Sequence, residues 1–168
     1  MIYDAILQMK KMLGQLDKWL EAATAFSQKK SFDPNTLLGA RLAPDQFPLV
    51  RQVQSTCDTA KFAAARLSGK EPPKHEDNEA TIEALHARIH AVIAWLDGFA
   101  AKDFEGAETR VVTNPRWEGK VMHGADYFNE HSVPNFYFHL VHTYAILRHN
   151  GVDVGKRDYL GTMSLRSA

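Results

Sequence analysis

The chain has 168 residues, 45% of them hydrophobic and 24% charged, with twenty lysines and arginines balanced by twenty aspartates and glutamates. That length suits one well-buried domain, and the cancelled charge, without a Lys/Arg cluster, speaks against nucleic acid or an anionic membrane as partner. Cys57 stands alone, which excludes an intramolecular disulfide and a cysteine-held metal cluster.

In chain order, Ile2, Ile6, Met9, Leu13, Leu16 and Leu20 recur every three or four residues. They predict an amphipathic first helix from residue 2 to about residue 29. The connection from Lys30 to Pro44 is punctuated by Asp33-Pro34-Asn35 and Gly39. A second helix is expected from Asp45, as N-cap, to Ser68, with Pro48 in its first turn and Gly69 closing it. Phe47, Val50, Val53, Cys57, Ala60, Ala64 and Leu67 mark its core stripe. A polar linker over residues 69–77 leads to a third helix beginning near Asn78, striped by Ile82, Leu85, Ile89, Ile93 and Leu96. Between Ala101 and Glu130 the helical period is lost. Two short β-prone runs, 109–113 and 120–123, predict a small hairpin.

The fourth helix is expected over the stretch Pro134 to Gly151, about five turns, with Ser132 or His131 near its cap and Gly151 in the left-handed closing position. It is apolar on most sides, yet Asn135, His139 and His142 share one stripe at i, i+4 and i+7. Such a stripe on a buried helix is either a site or a hydrogen-bonded structural network. The tail after Gly151, with two further glycines, reads as irregular. No apolar run approaches the roughly 18 residues of a membrane span. Met1-Ile2-Tyr3-Asp4 lacks the plan of a signal peptide, so the expected location is cytoplasmic. The whole is an all-α four-helix bundle, one domain over residues 1–168, with a long, partly β-hairpin connection between helices three and four.

The ending His139, Leu147-Arg148, Gly151-Val152, with the long crossing before the fourth helix, resembles the DinB/YfiT-like superfamily of bacterial four-helix proteins. Pro44-Asp45, Pro48, Arg51-Gln52-Val53, Ala65-Arg66-Leu67, Gly69, Pro134 to His139 and Gly155-Lys156 resemble one branch of it, classified as a domain of unknown function. The resemblance implies a divalent metal, zinc or nickel, held by three histidines, one on helix two and a His-x-x-x-His pair on helix four. It also implies thiol-dependent transferase or isomerase chemistry, and dimers. Two of the three metal positions depart from that pattern. His139 stands at the second place of the pair, Asn135 replaces the first, and helix two has no histidine, so that Gln52 or Asp45 would have to substitute.

The residues by themselves weigh against a metal. Amides are poor ligands for borderline ions, and a His/Asn/Gln cluster more often exchanges hydrogen bonds. The candidate site is therefore His139 and His142 as acid/base groups, with Asn135, Gln52, Asp45 and Tyr144 around a small-molecule ligand and His139 as the residual metal ligand. The competing reading is a non-catalytic, homodimeric module in which the cluster pins helix packing. Cys57 reads as a core residue. His86 and His90, at i, i+4 on helix three, have metal-compatible spacing but read as part of a solvated face.

Overall fold

The computed structural model describes residues 2–167. Four long helices form the bundle: α1 (Ile2–Lys30), α2 (Leu49–Ser68), α3 (Ile82–Leu96) and, after β1 (Val111–Thr113), β2 (Val121–His123) and the single turn α4 (Gly124–Asp126), α5 (Val133–His149). A short α6 (Lys156–Leu160) completes the order. The helices are held by their apolar stripes, as the sequence pattern requires. Leu13, Leu16, Leu20, Leu49, Val53, Leu67, Leu85, Ile89, Phe136 and Leu147 all lie in one fully buried cluster. Side by side, α2 runs along α5 and α1 along α3.

Each helix boundary that differs from the sequence pattern has a local cause. α2 starts at Leu49 with Pro48 in the cap position, three residues past the expected cap at Asp45. The residue before a proline is pushed out of the helical region, so Phe47 cannot continue a helix into Pro48. Likewise α3 starts at Ile82, not near Asn78. Thr81 is its cap, extended at φ −138° and accepting a bond from the Ala84 N–H at 3.1 Å. Gly69 and Gly151 close their helices at positive φ, 80° and 91°.

The excursion between α3 and α5 contains the expected hairpin, with β1 antiparallel to β2 and Val112 opposite Met122. The entry into α5 departs from the sequence pattern. Ser132 is no cap: it is helical at φ −64°, and a π-turn over Tyr127–Ser132 joins α4 to α5 without a break. Pro134 has no N–H for the carbonyl four residues back, and the wider turn, with Val133 N–H donating to Phe128 O, carries the chain through. The tail is also more regular than its glycines suggest. α6 docks on α1, where the Trp19 indole N–H donates to Asp158 O at 3.1 Å and the indole stacks on Tyr159.

No described helix is long and apolar enough to cross a membrane.

Candidate functional site

The polar stripe of α5 meets α2 as a ladder of paired side chains. Asn135 donates from its amide to Thr59 Oγ1 at 2.7 Å. One turn on, His139 Nδ1 lies 2.8 Å from Gln52 Oε1. At the end nearest the loop before α2, His142 Nε2 faces Gln46 Nε2 at 3.4 Å. Antiparallel helices bring these rungs into register, since α5 climbs as α2 descends. His139 and Gln52 are both buried, at 8% and 2% exposure.

The bonds fix which ring nitrogen carries hydrogen. Gln52 Nε2 donates to Phe47 O at 3.2 Å, so its carbonyl oxygen is the atom turned to His139, and Nδ1 of the ring must donate. Burial pushes the His139 imidazole down from 6.5 to about 4, helped by His142 and Arg51 nearby. At neutral pH the ring is uncharged, with its lone pair on Nε2. No hydrogen bond to Nε2 is formed among the described residues. His142 is held in the same sense, Nδ1 donating to Phe138 O at 2.7 Å and Nε2 accepting from Gln46. Gln46 Oε1 is buried with no partner. Phe47 stacks over His139 at 6.3 Å and Phe138 stands edge-on to it at 5.2 Å, and both rings are half exposed.

Two of the expected site residues are elsewhere. Asp45 is exposed, in the turn before α2, because the proline at 48 delays the helix past it. Tyr144 points to the other side of α5, where its hydroxyl donates to Val154 O and its ring packs on Trp19. At a step of 100° per residue, two positions past His142 is the opposite flank of the helix.

The three-histidine metal set of DinB-like proteins does not fit the residues that meet between α2 and α5. Among the described residues His139 is the one imidazole of α5 bonded to an α2 side chain, its Nδ1 is committed to Gln52 so that only Nε2 could ligate, and the Asn135 amide is committed to Thr59. Apart from His142, whose Nε2 is engaged by Gln46 in the loop before α2, the other donors are amides and hydroxyls, which borderline divalent ions disfavour.

A second polar cluster, between α2 and α3, lies outside the sequence expectations. The Arg88 guanidinium, 1% exposed, forms ion pairs with Asp58 at 2.8 Å, Glu79 at 2.8 Å and Asp77 at 3.1 Å. Gln54 and Lys61 close it, donating to Glu79 and pairing with Asp58. The signal was present: Leu85, Arg88, Ile89 and Val92 are spaced i, i+3, i+4 and i+7, so the arginine sits within the core stripe. Cys57 lies beside this cluster, wholly buried, its thiol pushed up to about 12 by burial. It is a core residue and no nucleophile.

A third cluster joins α1 to α3. Asp17 Oδ1 lies 2.5 Å from His86 Nδ1, and Asp17 Oδ2 lies 2.8 Å from His90 Nε2. The two imidazoles are thus not merely a solvated face.

Comparison with known proteins fits this architecture. A family model described as a domain of unknown function, DUF1993, matches residues 2–160. A crystal structure of a DinB family member protein from Shewanella denitrificans is similar over 100% of this chain and 96% of that one, at 47% identity and a TM-score of 0.96. No curated protein matches. With its helical bundle, its crossing hairpin and these matches, the chain belongs to the DUF1993 family of DinB-like proteins.

Proposed function

We propose that this DinB-like chain binds a small molecule in the cleft between α2 and α5, without a resident metal ion, as a degenerate relative of metal-dependent enzymes. The carrying observation is the His139–Gln52 bond at 2.8 Å, which leaves an uncharged Nε2 lone pair without a protein partner. Gln46 Oε1, buried and unpaired, is a second waiting acceptor. Two acceptors beneath the half-exposed rings of Phe47 and Phe138 suit a ligand with hydrogen-bond donors and an apolar part. Thiol adducts, the class implied by DinB-like transferases, belong to that description when they carry amine or amide N–H groups. Within the cleft, Asn135 and Gln52 orient, and His139 accepts a proton or a hydrogen bond.

The test is NMR of the His139 ring nitrogens during titration with a fragment set of amines, amides, alcohols and thiols. Donor-bearing fragments should shift Nε2 in the wild type and leave the remaining spectrum of a folded His139→Ala variant unmoved. If none of them reaches Nε2 at millimolar concentration, the ligand-binding reading fails.

A second reading has its own observation. Phe47 and Phe138, whose rings pack on His139, are 50% and 53% exposed, and Val141, three residues past Phe138 on α5, is 44% exposed, enough apolar surface to suggest a partner. In that reading the ladder is structural and the chain is a homodimeric module. Light scattering decides it: a dimer that Phe138→Asp splits into monomers favours the module.

A further inference from the structure

The carboxylates that meet between α2 and α3 are answered by permanent cations: Asp58, Asp77 and Glu79 by Arg88, and Asp58 also by Lys61. Asp17 is different. Its carboxylate is only 15% exposed, yet among the described residues its ionic partners are two imidazoles, His86 and His90. These sit one helical turn apart on α3 and face Asp17 on the antiparallel α1. One nitrogen from each ring and one carboxylate oxygen lie within 4.8 Å of one another.

We propose that Asp17, His86 and His90 form a divalent metal site for a borderline ion of the zinc, cobalt or nickel type. Two imidazoles and one carboxylate are a donor set that such ions prefer, whereas magnesium and calcium demand oxygen throughout. Metal bonds of about 2.0–2.2 Å in tetrahedral geometry need donors roughly 3.3–3.5 Å apart, so the rings would swing back slightly from the carboxylate as the ion enters. His90, with 63% of its side chain exposed, has the freedom to do so. Three protein ligands leave a fourth position open. Both rings line a surface groove of about 840 Å³, so that position is reachable from solvent. Glu21 and Glu83 on the same groove favour a cation there and disfavour an anionic co-ligand, which leaves water or a neutral donor for the open position. This site lies on the α1–α3 pairing and owes nothing to the α2–α5 cleft.

Titration of untagged, metal-free protein with Co²⁺, followed by visible absorption and by Zn²⁺ competition, tests it. The wild type should take up one equivalent with the spectrum of a low-coordinate nitrogen–oxygen site. Removing a ligand should cost at least the ten- to hundredfold that loss of a mere supporting contact does. His86→Ala, His90→Ala and Asp17→Asn should each show that loss, while exposed His149→Ala should not. Because His90 is so exposed, His90→Ala keeps the test valid even where Asp17→Asn unfolds. Equal affinity in wild type and His90→Ala overturns the site. So does uptake abolished by His139→Ala alone, which would put the ion in the other cleft.

Discussion

A single imidazole carries most of the chemistry proposed for the α2–α5 cleft, and its depressed proton affinity has a consequence for stability. His139 titrates near 6.5 when unfolded and near 4 when folded. Between those values the unfolded chain binds more protons than the native one, so stability rises with pH. The contribution is therefore complete above about pH 6.5 and is lost as pH falls through 6.5 toward 4. Urea midpoints measured at pH 7.5 and pH 5 should differ more for the wild type than for His139→Gln, which keeps polar atoms at the site but cannot titrate. Equal differences would show that another group sets the acid sensitivity. Cys57 illustrates the same force on another side chain: burial raises the thiol, with Arg88 and Lys61 working against it and Asp58 and Glu79 adding to it.

At the scale of elements, the excursion between α3 and α5 is positioned by a contact that a sequence pattern cannot display. Gly124, which opens α4, lies so close to the turn around Ala107 that an added Cβ would sit 1.8 Å from Ala107 O and 3.1 Å from a Leu67 methyl. The opposing atom is backbone, so the clash cannot be relieved by a rotamer change. Gly124→Ala should cost about 1–3 kcal/mol or more, measured by chemical denaturation, and should loosen the hairpin before the bundle. A variant as stable as the wild type would mean that α4 shifts freely. The π-turn behind it answers to Pro134, which fixes where α5 can begin and hence how Asn135 and His139 face α2.

The whole molecule is tied across its apolar core by charges. Arg88 links α3 to Asp58 on α2 and to Asp77 and Glu79 on the linker, all from a guanidinium that is 1% exposed. Truncating it takes a cation from Glu79, 9% exposed, and from the part-exposed Asp58 and Asp77, which keep Lys61 and Arg51, so the cost should fall at or below the about 3–5 kcal/mol typical of breaking a buried pair. Arg88→Ala should therefore unfold at much lower denaturant concentration. Combining Arg88→Met with Asp58→Asn and Glu79→Gln should recover much of the loss, because the charge leaves together with two of its three partners and the exposed Asp77 keeps Arg51. If the triple variant is no better than Arg88→Ala, packing of the arginine stem outweighs the ion pairs. The bundle thus carries three polar clusters on separate helix pairings: α2–α5, α2–α3 and α1–α3.

The helical bundle, the closing glycines, the hairpin and the burial of Cys57 could be read from the chain itself, because they depend on period, turn chemistry and neighbours in sequence. The α5 stripe of Asn135, His139 and His142 was legible for the same reason, and Gln52 as its partner came through a family pattern. The exclusion of Asp45 and Tyr144 was not legible: one depends on Pro48 delaying a helix, the other on which flank of α5 meets Trp19. Nor could the sequence show that Arg88 collects three carboxylates, or that Asp17 stands between two imidazoles 69 and 73 residues away. Local rules say which face a residue occupies. Only the packing of one helix against another decides what that face meets.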